Sequence, residues 1–151
     1  MTRVLIAGAV VLALVGATAA SGQAAEDPVA SRKAVMQSVA GAAGLSGAML
    51  KGEMAYSPAA GKAAIATFNA AGVVFGDYFP EGSDTGDTSA APKIWEDRAG
   101  FEAEVAKLAA AASAAMQASG REGPADLESF KAVVGPVLAT CRSCHQGFRK
   151  R

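Results

Sequence analysis

The chain has 151 residues, with 14 Lys+Arg balanced by 14 Asp+Glu, enough for one domain with one core and too few for two ordinary ones. The charge balance gives no electrostatic case for nucleic acid or an anionic membrane surface, and Arg149-Lys150-Arg151 is too small a cluster to change that. With two cysteines and one histidine in the whole chain, a structural zinc site, which wants four such ligands, is excluded as well.

Residues 1–25 read as a secretory signal peptide. Arg3 gives a basic start, Val4 to Val15 is an apolar run too short for a stable membrane span, and small residues lead to Ala24-Ala25. Its removal takes away Arg3 and no acid, leaving 13 Lys+Arg against 14 Asp+Glu over the single domain 26–151. The mature chain then has no membrane span, and export places it in the periplasm.

Alanine abundance and the lack of alternating β-branched runs predict helix throughout. The first helix runs from about Pro28 to Lys51, with proline in the first turn and Gly52 as its stop. Met36, Val39, Ala40, Ala43, Gly47 and Leu50 form its apolar stripe. A second opens at Ser57-Pro58 and continues to about Phe75, burying Ile65, Phe68 and Gly72, with Val73 and Phe75 closing the face. A long connection from about Gly76 to Ala91 follows, and loops of that length often cover a site. The third helix starts between Pro92 and Asp97, ends at Ser119 and carries Phe101, Val105, Leu108, Ala112 and Ala115 at helical spacing. The fourth runs from about Pro124 to Phe148, with an expected bend at Gly135-Pro136. Its apolar positions Phe130, Val134, Val137 and Leu138 continue into Cys141, His145 and Phe148, which puts the cysteine motif on the buried face. Four helices with mostly short connections predict an all-α, antiparallel four-helix bundle. Inward alanines and glycines leave closely approaching helices or unfilled space, and a bulky planar cofactor suits the latter.

Cys141-Arg142-Ser143-Cys144-His145 is the C-x-x-C-H pattern of covalent haem attachment. Cysteines three apart on a helix present both sulfurs to one side, where each can form a thioether with a haem vinyl group. The next residue's imidazole then meets the iron. A disulfide between the two would close a very small, easily strained loop. A thioredoxin-type dithiol would come with a βαβ pattern, which is missing.

The C-terminal position of this motif, continued by Gln146-Gly147-Phe148-Arg149, resembles the class II c-type cytochromes: cytochrome c′ and its low-spin relatives. Lys51-Gly52-Glu53-Met54-Ala55-Tyr56, Phe79-Pro80-Glu81-Gly82-Ser83, Pro92-Lys93-Ile94-Trp95-Glu96-Asp97 and Gly100-Phe101 extend the likeness over essentially all of the mature chain. The resemblance implies a four-helix bundle with a single haem c between helices. It also implies that Met36 on the first helix faces the sixth iron position, either binding iron through sulfur or only crowding it. Arg32, one turn earlier, resembles the family's basic residue beside a haem propionate, the alternative being a solvated helix face. Arg149 is either a proximal flank of the haem or part of a basic tail. Trp95 and Phe101 read as core, and Met49, Met54 and Met116 have no feature favouring ligation.

The function expected is a periplasmic single-electron carrier with His145 proximal and Met36 as sixth ligand, exchanging electrons with periplasmic redox proteins. No acid–base constellation is visible and the lone histidine is committed to iron, so the chain is not expected to be an enzyme. The alternative is a five-coordinate haem that captures nitric oxide or carbon monoxide. Both a monomer and a homodimer fit the resemblance.

Overall fold

Side-chain caps set where the long helices begin. In the computed structural model, which describes residues 27–150, Asp27 accepts a hydrogen bond from Ala30 N at 2.9 Å and starts α1, Pro28–Leu50. Ser57 caps α2, Pro58–Val74, with proline at its first position as the sequence predicted. Asp97 caps α4, Arg98–Ser119, through Gly100 N. Asp126 caps α5, Leu127–Phe148, through Ser129 N at 2.8 Å. The predicted signal peptide lies outside the described residues.

Several boundaries differ from the sequence reading. A 3-10 turn, Phe75–Tyr78, prolongs α2 into the expected loop. The third helix is two: a single turn, α3 at Lys93–Glu96, and then α4, separated where Asp97 turns away (φ −125°, ψ 61°) to cap. The start of α5 is three residues later than Pro124, whose carbonyl instead accepts the Tyr56 hydroxyl at 2.5 Å. The helix continues through Pro136.

Among the described residues α1, α2, α4 and α5 form the antiparallel four-helix bundle, with extensive α1–α2, α2–α4 and α4–α5 faces and no strand beyond one isolated bridge. Small residues make the α2–α4 face close: a Cβ built on Gly72 would lie 2.7 Å from Ala109 Cα. The main core contains Val39, Ala42, Met49, Ala64, Ile65, Phe68, Ala112, Phe130, Val134 and Val137. A second, largely aromatic cluster joins Phe75, Phe79, Ile94, Phe101 and Phe148. The buried stripe of α1 is Arg32, Val39, Ala42, Ser46 and Met49, so Met36, Ala40 and Ala43 lie beside it rather than on it. Val73, expected inside, is 70% exposed. The stretch Pro58–Tyr78 is apolar enough to span a membrane by length and composition, but Ile65 and Phe68 at its centre are fully buried among the other helices.

Candidate functional site

α1 touches α5 far less than it touches α2, and the space so left is a cavity of about 400 Å³. That volume is within the range of small-molecule and cofactor sites. From α1 it is lined by Arg32, Met36, Val39, Ala40 and Ala43; from α4 by Phe101, Glu104, Val105 and Leu108; from α5 by Thr140, Cys141, Cys144, His145 and Phe148. Every residue singled out from the sequence as a ligand or cofactor contact therefore meets in one place. A larger depression of about 530 Å³ beside Asp27, Lys33, Gln37 and Asp87 is a solvent-open dish with no cysteine, histidine or methionine in its wall.

The long connection closes one end of the cavity, as its length suggested. Thr88, Ser89 and Ala90 line it. Backbone bonds from Ala91 N to Phe148 O (3.0 Å) and from Lys150 N to Ser89 O (2.8 Å) hold this segment against the end of α5. Beneath it the aromatic cluster is cross-braced edge to face, with ring centroids 4.6 Å apart for Phe79–Phe101 and 5.7 Å for Phe101–Phe148.

Arg32 is not on a solvated face. It is 4% exposed, its guanidinium stacked over Phe79 and Trp95. Nη1 donates to Tyr78 O at 3.2 Å and Ser83 Oγ at 3.1 Å; Nη2 donates to Ser83 O at 2.6 Å and Thr88 Oγ1 at 2.7 Å. Burial pushes its pKa down while Asp27 and Asp84 oppose that, and a guanidinium stays charged throughout. Nε, also buried, has no partner, although buried donors are normally satisfied. A free N–H on a cation at the cavity wall suits an anionic group.

Cys141 and Cys144 are half-buried and form no disulfide, whereas His145 is exposed. The motif thus lines an open space rather than being packed into the core, a correction to its expected burial. Burial raises both thiols; Cys144 reaches about 11, with Glu104 and Cys141 adding to the effect of burial. Redox-active dithiols carry lowered values, the opposite direction from these two thiols. Although the residue as a whole is exposed, partial desolvation of the ring at the cavity wall, and then Arg149, hold the His145 pKa below its ordinary value, which favours the neutral form that binds metals.

The family model described as Cytochrome C' matches residues 27–149. The chain belongs to the cytochrome c′ family of class II c-type cytochromes. The chain is 41% identical to the solved cytochrome c′ of Rhodopseudomonas palustris, with a TM-score of 0.75 over 83% of this chain and 97% of that one. Cytochrome c-556 of Agrobacterium tumefaciens (strain II Chrys) is 36% identical over 80% of this chain and 95% of its own length. A nitric oxide complex of a single-substitution mutant of cytochrome c prime from Alcaligenes xylosoxidans is 27% identical, with a TM-score of 0.70 over 83% of this chain and 96% of that one. This class II cytochrome is therefore a single-haem c-type protein whose cofactor is covalent haem c. The cavity fits that group: apolar walls, two thiols and an imidazole on one helix, and an unpartnered buried guanidinium N–H.

Sequence reasoning missed Glu104, Thr140 and the wall formed by Phe75, Phe79 and Ile94. The spacing of Val105 and Leu108 marked the α4 face, but nothing local distinguished Glu104 from the solvated acids around it.

Proposed function

We propose that this cytochrome carries single electrons in the periplasm, its haem held by thioethers from Cys141 and Cys144, with iron bound by His145 on one side and Met36 on the other. The observation that carries the reading is that Met36, from α1, lines the same cavity as the three motif residues of α5 and packs against both core clusters. Haem iron supplies the one-electron chemistry. The neutral His145 ring and the Met36 thioether bind without losing a proton, and a thioether raises the potential relative to histidine alone. Arg32 offers Nε to a propionate carboxylate while its other nitrogens tie down the loop. The one histidine in the chain is committed to iron on this reading, and the reading assigns no enzymatic role. The layout of residues 1–25 supports export, and the electron partners are then periplasmic redox proteins.

Replacing Met36 tests the ligand set. Met36→Leu keeps the volume and removes the sulfur; it should convert a low-spin ferric spectrum to high-spin and make the ferrous protein bind carbon monoxide readily. A variant as low-spin as the parent would rule Met36 out.

A second reading has one observation in its favour, the likeness to a cytochrome c prime solved as a nitric oxide complex. On that reading Met36 only crowds the iron, the haem is five-coordinate, and the site captures nitric oxide or carbon monoxide. Wild-type protein would then be high-spin from the outset.

A further inference from the structure

Among the residues lining the cavity one is acidic. Glu104, on α4, shares the wall with the cations Arg32, Lys33 and Arg149. Its side chain is 14% exposed, well covered for a carboxylate on a helix surface. Both oxygens are engaged: Oε2 accepts from Ser143 Oγ at 2.6 Å, and Oε1 accepts from Lys107 Nζ at 2.6 Å. Ser143 is the second variable residue of Cys141-Arg142-Ser143-Cys144-His145. A carboxylate on one helix is thus bonded to the turn of another that bears the attachment chemistry, 39 residues away in sequence.

We propose that Glu104 is a positioning residue for the haem: its carboxylate ties the attachment turn of α5 to α4, and its fixed negative charge lowers the reduction potential. This rests on the reading of Cys141, Cys144 and His145 as the haem-binding set. Reduction adds an electron to the site, so an anion on the cavity wall favours the oxidised form. The bonds from Lys107 and Ser143 hold the Glu104 carboxyl below the ordinary range, so it is ionised at neutral pH. Lys107 offsets the charge only in part, because its side chain is 61% exposed and its ammonium is solvated.

The test compares haem-loaded wild type with Glu104→Gln, Ser143→Ala and Lys107→Met, by potentiometric titration and thermal unfolding. Glu104→Gln retains an acceptor for Ser143 and loses the charge. At a fixed ambient potential its reduced-to-oxidised ratio should rise about threefold to tenfold, equivalent to about 28 to 59 mV, with little change in melting. Ser143→Ala keeps the charge and loses the tie, so melting should fall by about 3 to 6 °C with a much smaller change in potential. Lys107→Met leaves the tie in place and unmasks the charge, so its potential should fall. If Glu104→Gln does not mature, the Lys107→Met shift alone decides. Haem-loaded variants with wild-type potentials would overturn the proposal alone. Wild-type protein matured without covalent haem would overturn the site reading, and this inference with it.

Discussion

Two charged side chains do more than the sequence suggests. Arg32 ties α1 to three points in the loop, and its fork geometry is what allows it. A lysine has one ammonium and cannot reach Tyr78 O, Ser83 O and Thr88 Oγ1 together. Arg32→Lys should therefore cost about 2–3 kcal/mol, read from the urea midpoint of the haem-loaded protein. At Glu104 the folded pKa lies below the ordinary 4.5. A lowered carboxylate contributes stability that is fully present above its unfolded value and is lost as pH falls through its folded value. Thermal midpoints should thus begin to drop below about pH 4.5, and Glu104→Gln should blunt that drop. The tie from Arg32 to the loop and the tie from Glu104 to Ser143 were not legible beforehand, because these partners lie 39 to 56 residues away; only the place of Arg32 beside a propionate was expected, from the family resemblance. The attachment motif was legible for the opposite reason: its chemistry is contiguous.

At the scale of elements, glycine has opposite uses in two helices. Gly72 lets α2 approach α4 so closely that a Cβ would meet Ala109 backbone atoms at 2.7 and 3.0 Å. Gly44, in the middle of α1, has nothing within 4 Å of the same position. Gly72→Ala should destabilise by about 1–3 kcal/mol through overpacking. Gly44→Ala should stabilise by about 0.5–1 kcal/mol through reduced chain entropy. Paired denaturant titrations would separate the two, and equal effects would contradict the packing described. The element boundaries show what one-dimensional reading can reach. Ser57-Pro58 marked α2 correctly because cap and first-turn proline are adjacent. Pro124 misled for α5 because its carbonyl is held by distant Tyr56, and Asp126 caps in its place. Asp97 was readable as polar but not as the point where one helix becomes two.

The whole molecule leaves a gap where α1 and α5 separate, and the gap gathers the chemistry. Alanines at positions 40 and 43 were expected to bring helices together or leave room. At this face they leave room, while Gly72 does the former. The bundle was legible from periodicity and turn signals, and the proximal wall from C-x-x-C-H. The distal wall came only through likeness to the family, since a methionine on an apolar stripe reads equally well as core. In the structure Met36 flanks the buried stripe and fronts the cavity.

Absorption spectra of the mature protein, ferric and ferrous, with and without carbon monoxide, test the central claim most directly. Met36 ligation predicts a low-spin haem c spectrum, a methionine-to-iron charge-transfer band and little response to carbon monoxide. A high-spin ferric spectrum that shifts on adding carbon monoxide to the ferrous protein would contradict it and leave Met36 as packing over a gas-binding iron.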